Sequence, residues 1–396
     1  NFRDAEHAAN LFGLKELGYI YTRLQNPTQN SLEERLTALE GGAAALALAS
    51  GTSAVFYSII NLAVAGDEVV ASKYLYGGTY TMFNNILPDY GINVRLVDPL
   101  DLEEIEGAIN GRTRAIYLET IGNPTLVVPD FDAIGELARR HHLPVIADAT
   151  FTTPYLFRPL EHGVDIVVNS LTKWIGGHGT GIGGAVVDSG RFDWKDPKFT
   201  TLNDPDDSYH GVRYAHDLGE LSALAYILRM RLVPLRNLGA AISPDNAWLF
   251  LQGLETLHLR MERHSQNALA VARFLSEQPD VEWVSYPGLE SHRTHGNAVK
   301  YFTRGFGGMV VFGISGGRTA GARFINSLEL FSHVANVGDA KSLAIHPAST
   351  THSQLSDQQQ TDAGLPPEMV RLSIGIEHVD DIIADLEGAL KKARAG

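Results

Sequence analysis

A chain of 396 residues, 44% hydrophobic and 20% charged, is too long for one simple core and reads as an ordinary globular protein of at least two domains. Its formal charge of −14 argues against nucleic acid or an anionic membrane as the main partner, and no run of about 18 apolar residues is present to span a bilayer. The absence of cysteine removes disulfides, thiolate nucleophiles and cysteine-based metal sites, and with no secretory signal visible the expected location is cytoplasmic.

The first thirty residues are polar and irregular after a short amphipathic piece, AEHAANLFGLKELG, and read as an N-terminal arm (1–30). Ser31 and Glu34 have the spacing of a capping box, which predicts a helix over SLEERLTALE stopped by Gly41-Gly42. Residues 43–50 form a short apolar run, and TSAVFYSIINLAV is helical. DEVVAS, INVRLV, TRAIYLET and PVIADAT then read as buried strands with helical segments between them, such as FDAIGELARRHH. This alternation predicts a mostly parallel sheet with right-handed crossovers, whose strands are apolar throughout because both faces are covered. Active sites in such sheets gather at the strands' carboxyl ends.

Residues 190–240 are different. FDWKDPKFTTLNDPDDSYHG predicts a long ordered loop, followed by a helical region interrupted at Pro234. Ser243-Pro244 starts what reads as one long helix, DNAWLFLQGLETLHLRMERHSQNALAVARFL. VEWVSY, GGMVVFGI and VRLSIGI are strands and ARFINSLEL and DDIIADLEGALKKA helices of a smaller α/β domain. The expected division is therefore 31–257 for the large domain and 258–396 for the C-terminal one.

Residues 163–184, GVDIVVNSLTKWIGGHGTGIGG, carry the most chemistry. A buried strand delivers Ser170, Thr172 and Lys173 onto a turn, so an amine able to form a Schiff base stands beside hydroxyls able to hold a phosphate. Pyridoxal phosphate, an aldehyde at one end and a phosphate at the other, asks for that pair; an exposed loop lysine is the plainer alternative. Ser50-Gly51-Thr52 closes the first strand and opens a helix, which suits an anion or is simply a helix start. Asp148 ends PVIAD and could pair with a protonated pyridine nitrogen, or cap a turn. Tyr76 could stack on the ring or pack in the core, and Asn123 could donate to the ring's phenolic oxygen or mark an Asn-Pro turn. Arg371 opens RLSIGI and suits bidentate carboxylate binding or a surface ion pair. The G-x-G-x-x-G within residues 179–184 is followed by a strand where a dinucleotide loop needs a helix, which argues against a nicotinamide cofactor. The histidine pairs 141/142, 292/295 and 346/352 lack H-E-x-x-H spacing, so no metal is expected.

Taken together these residues resemble the fold-type I pyridoxal-phosphate enzymes of the Cys/Met metabolism family over essentially the whole chain. The specific pieces are YTRLQNPT, SGTSA, ETIGNPT, SLTKWIGGHG, ANVGDAKSLAIHPASTTHS and RLSIGIEHVDD. Within the family the chain looks most like the O-acetylhomoserine sulfhydrylases. Methionine γ-lyases usually carry an aspartate at Thr180 and a cysteine at Gly78. The resemblance implies that Lys173 binds the cofactor and shuttles protons, while Gly51, Thr52, Ser170 and Thr172 hold its phosphate. Tyr76 would stack and assist the leaving group, Asp148 would pair with the ring nitrogen, and Asn123 with the phenolic oxygen. Asn336 and Arg371 would bind the substrate carboxylate. Tyr21 and Arg23 would reach a neighbouring subunit's phosphate, implying a homotetramer of dimers with shared sites, and a further subunit-contact segment is expected ahead of DAEHAANLFGLKELGYIYTR. The implied reaction is γ-replacement on O-acetyl-L-homoserine by sulfide or a small thiol, giving homocysteine or methionine plus acetate. Elimination of the methionine γ-lyase type, or cystathionine γ-synthase chemistry, is the alternative on the same scaffold.

Overall fold

The computed structural model describes residues 2–13, 15–16, 18–350 and 365–394, so His352 lies outside the described residues. Seven strands form the larger sheet: β1 (Ala44–Leu48), β2 (Glu68–Ser72), β3 (Asn93–Val97), β4 (Thr113–Glu119), β5 (Val145–Asp148), β6 (Ile166–Ser170) and β7 (Gly184–Asp188). Their order is β1-β7-β6-β5-β4-β2-β3. The pairs β2/β3, β2/β4, β4/β5 and β5/β6 are parallel, whereas β7 runs antiparallel to both of its neighbours. Because β1 and β6 flank the same reversed strand, β1 runs with the parallel set and brings its carboxyl end to the same edge.

The apolar runs follow from burial on both faces. Along β4, Ile116 and Leu118 join one core cluster while Ala115 and Tyr117 join the other. Helices cover these faces. Helix α2 (Pro27–Glu40), which follows α1 (Ala5–Phe12) of the arm, packs on β1 and β7; α3 (Gly51–Ile60) and α4 (Phe131–Arg140) are capped by the side chains of Ser50 and Asp130.

Helix α2 corrects one expectation. It starts four residues before Ser31, with Asn26 accepting from the Thr28 N–H and Pro27 at the first helical position. Ser31 is thus inside the helix, its hydroxyl donating back to the Pro27 carbonyl, and Glu34 accepts from Asn30 rather than closing a box. The predicted long helix after Ser243 is a second correction. It is two helices, α5 (Pro244–Glu255) and α6 (Leu257–Ser276), separated at Thr256, where φ is −111° and ψ 8°.

Between β7 and α5 the chain forms turns and short helical pieces. Trp194 stacks on Tyr226 with ring centres 5.1 Å apart, and Arg231 pairs with Glu33 at 2.6 Å, fastening the segment to α2. Pro234 sits in a widened turn, Arg231–Leu235, which accommodates the missing N–H as the helix passes through.

The smaller sheet has the order β10-β11-β12-β9-β8, from β8 (Val281–Ser285), β9 (Met309–Ile314), β10 (Ser332–His333), β11 (Leu343–Ile345) and β12 (Met369–Ser373). Helices α7 (Gly317–Ser327) and α8 (Val379–Arg394) pack on it together with α6. Among the described residues no helix is long and apolar enough to cross a membrane. No group of three or more His, Asp or Glu side chains among them is arranged to hold a metal ion.

Candidate active site

A cavity of about 260 Å³ opens at the carboxyl ends of β4, β5 and β6, facing β12 of the smaller sheet. Gly51, Thr52, Tyr76, Asn123, Asp148, Ser170, Thr172, Lys173, Asn336 and Arg371 line it. Tyr21 and Arg23 are elsewhere: both are exposed ahead of α2, the Arg23 guanidinium 5.1 Å from the centre of the Tyr21 ring.

One corner is built for an anion. Ser50 caps α3 by accepting the Ser53 N–H at 3.0 Å, and its hydroxyl lies 3.0 Å from that of Thr52. A Cβ at Gly51 would stand 2.6 Å from the Ser170 Cβ, so only glycine lets the helix start this close to the end of β6. The Ser170 hydroxyl therefore lies beside the start of α3, an end that favours an anion. The Thr172 hydroxyl is already engaged, accepting from the Gly183 N–H at 3.1 Å and meeting the Gly183 carbonyl at 3.3 Å. It braces the glycine segment against the lysine turn. A Cβ at Gly184 would come 2.1 Å from the Ser50 carbonyl oxygen and one at Gly183 2.3 Å from the Phe250 ring. Those glycines pack the turn into β7, and no helix follows them.

The opposite wall carries carboxyl groups. Asp148 ends β5 and accepts the Thr150 N–H at 2.8 Å; burial pushes its carboxyl above the usual range. Glu119, at the end of β4, accepts the Tyr76 N–H at 2.6 Å, and burial followed by the nearby Asp148 charge holds it well above the usual range. Tyr76 itself is half-exposed over the cavity, and a Cβ at Gly78 would fall 2.5 Å from its ring. A residue with a side chain at 78 would have to displace that ring.

Between the two ends stands Lys173. Its Nζ donates to Asn336 Oδ1 at 2.5 Å, and burial, then the Arg371 charge, lower its pKa. Arg371, on β12, donates from Nη1 to Asn123 Oδ1 at 3.4 Å, and burial lowers its pKa too. The structure thus sets Asn123 against Arg371 and Asn336 against Lys173.

Glu119 was missed as a candidate in the sequence. Its signal was present: it is a charged residue at the carboxyl end of an apolar strand, the same position in its strand as Asp148. Thr79, Thr150, Phe151 and Val337 also line the cavity, but nothing in their local sequence marks them.

The donor set fits pyridoxal phosphate. An anion corner closes around Gly51 and Ser170, and an amine with a lowered pKa stands beside it. The acid at the far end, Asp148, is buried, and a cationic ring nitrogen there would offset the cost of its charge.

Comparison with known proteins agrees. The family profile of Cys/Met metabolism PLP-dependent enzymes matches residues 1–391. The chain is 53% identical to an O-acetyl-L-homoserine sulfhydrylase of Leptospira meyeri, covering 98% of this chain and 90% of that protein. It is 50% identical to O-acetyl-L-homoserine sulfhydrylase 1 of Thermus thermophilus, covering 98% and 92%. A crystal structure of a putative O-acetylhomoserine (thiol)-lyase from Campylobacter jejuni, containing N'-pyridoxyl-lysine-5'-monophosphate, superposes with a TM-score of 0.93 at 43% identity, over 99% of this chain and 93% of that one. The chain belongs to the Cys/Met metabolism family of pyridoxal-phosphate-dependent enzymes.

Proposed function

We propose that this enzyme carries out γ-replacement on O-acetyl-L-homoserine, exchanging acetate for sulfide or a small thiol to give homocysteine or methionine. The observation that carries the reading is the placement of Lys173 within one cavity between the acid Asp148 and the buried guanidinium of Arg371. The sulfhydrylase names of the relatives above and the glycine at 78 beside Tyr76 support this branch.

Bound there, pyridoxal phosphate supplies an electron sink that makes the α- and β-protons of an amino acid removable. Gly51, Thr52 and Ser170 would hold its phosphate, Thr172 keeps the glycine segment in place, and Asp148 would pair with its ring nitrogen. Tyr76, half-exposed over the cavity, would stack on the bound ring and could assist the leaving group. Arg371 grips the substrate's α-carboxylate through its planar fork, with Asn123 orienting the guanidinium. Lys173 moves the protons. Its amine must be neutral to accept one, and both burial and the adjacent Arg371 charge push it that way. Asn336 fixes the amine's position at rest.

The same reading divides the chain into an arm, 1–30, a large domain, 31–257, and a C-terminal domain, 258–396. The exposure of Tyr21 and Arg23, away from their own chain's cavity, supports their serving a neighbouring subunit's phosphate corner in a dimer, two of which form a tetramer.

Product analysis tests the function. Incubation with O-acetyl- or O-succinylhomoserine, with and without sulfide, is expected to yield homocysteine from the acetyl ester only when sulfide is present. Predominant 2-oxobutyrate and ammonia would establish elimination instead.

A further inference from the structure

Arg260, in the first turn of α6, is 4% exposed, and among the described residues no carboxylate pairs with it. A buried cation without a counter-ion is tolerated only where acceptors take up its donors. Here they go to oxygens of the backbone and one hydroxyl. Nη1 donates to the Trp174 carbonyl at 2.6 Å, and Nη2 donates to the carbonyls of Ile175 at 3.1 Å and Gly253 at 2.5 Å. Nε donates to the Thr256 hydroxyl at 3.1 Å. Two of these carbonyls belong to the residues directly after Lys173, and a third belongs to the last turn of α5.

The surrounding glycines make room for this arrangement. A Cβ at Gly177, where φ is +74°, would lie 2.0 Å from Arg260 Nη1. One at Gly253 would lie 2.4 Å from the Ile175 carbonyl oxygen, so α5 packs backbone to backbone on the lysine turn. The turn is closed by the Gly177 N–H donating to the Lys173 carbonyl at 2.7 Å. The break at Thr256 belongs to the same device, since Arg260 satisfies a carbonyl and a hydroxyl at the junction of α5 and α6.

Beyond Arg260, α6 continues to the other half of the site. His264 Nδ1 lies 2.6 Å from the Ile374 carbonyl oxygen, and Asn267 donates to the carbonyls of Gly375 and Glu377. These residues directly follow β12, which carries Arg371. One helix therefore holds both the turn bearing the lysine and the end of the strand bearing the carboxylate-binding arginine.

We infer that Arg260 is a positioning residue for Lys173: its guanidinium fork fixes the carbonyls after the lysine and so sets where the amine stands relative to Arg371. The role needs a planar fork with several fixed donors, which a lysine's single ammonium does not reproduce. The proposal rests on Lys173 being the cofactor-bearing lysine.

The test uses the cofactor-loaded enzyme with Arg260→Lys, the milder Thr256→Val, and Lys173→Ala as control. The readouts are the pH midpoint of the visible absorbance of the lysine-linked cofactor, the steady-state constants and the melting temperature. For Arg260→Lys we expect a displaced midpoint and a kcat lowered about tenfold with the KM for the amino-acid substrate within about twofold, the pattern of a lost contribution to the chemical step. Thr256→Val, at an exposed position, is expected to move the midpoint in the same direction by less, and it decides the matter if Arg260→Lys does not fold. An unchanged midpoint and kcat with only a lower melting temperature would overturn the proposal. Lys173→Ala separates the two claims. If borohydride still fixes the cofactor to that variant, the assignment of Lys173 fails; if the label is lost while Arg260→Lys titrates like the parent, only the role of Arg260 fails.

Discussion

Two strands of the large sheet end in nearly the same way, VIAD at β5 and AVVD at β7, yet their aspartates have different surroundings. β5 runs with the parallel set and leaves Asp148 at the carboxyl edge, beside Glu119 and facing the cavity of Lys173 and Arg371. β7 is reversed, so Asp188 lies at the opposite edge, opposite Ile166 at the start of β6. There it accepts the Gly190 N–H at 2.9 Å, while Asp165 nearby accepts the Val145 N–H at 2.9 Å. Burial raises all of these acids, Asp188 to about 7 and Asp165 to about 6. A raised acid pKa therefore does not by itself mark function. The difference is whether the carboxyl group opens onto a cavity with cationic partners or closes a loop inside packed structure.

Replacing each aspartate with asparagine tests that distinction, and the larger effect belongs to the cavity. Asp148→Asn keeps an acceptor for the Thr150 N–H but removes the carboxylate that would pair with the ring nitrogen of bound pyridoxal phosphate. We expect kcat/KM to fall on the order of 10²–10³-fold, the usual cost of one preorganised electrostatic partner. The melting temperature of the cofactor-free protein should not drop. Asp188→Asn is expected to leave kcat/KM within about twofold. An equal loss of activity from both variants would break the comparison.

The smaller effect is on stability against pH. The folded pKa of Asp188 is raised, so the native state holds a proton that the unfolded chain gives up above about pH 4. That contribution is present below the unfolded pKa and is lost as pH rises toward about 7. Unfolding free energy should therefore decline across this window, by up to about 1.4 kcal/mol per pH unit for each retained proton. Asp188→Asn should flatten the decline in chemical unfolding measured at several pH values. An unchanged slope would mean that this edge does not keep its protons.

The contrast also shows which parts of the molecule were legible in the sequence. Strands buried on both faces announce themselves as apolar runs, and a polar residue at the end of a parallel run points to the functional edge. That logic singles out Asp148, Ser170 and Lys173, which line one cavity with Glu119, a residue meeting the same criterion. Strand direction is not written locally, so the reversal of β7 shows only in pairing. Strands β10 and β11, two and three residues long, are too short for a pattern to register. The start of α2 was misplaced because Ser31 and Glu34 have capping spacing, whereas Asn26 and Pro27 do the capping. The break at Thr256 adjoins contacts between Arg260 and the carbonyls after Lys173, some 85 residues away in sequence, which no local pattern announces.

The central claim is that the cofactor is carried by Lys173 at the carboxyl edge of the sheet. Borohydride reduction of the cofactor-loaded protein, followed by peptide mass spectrometry, tests it most directly. The account predicts a single pyridoxyl label on the peptide containing Lys173, and a label on any other lysine would contradict it.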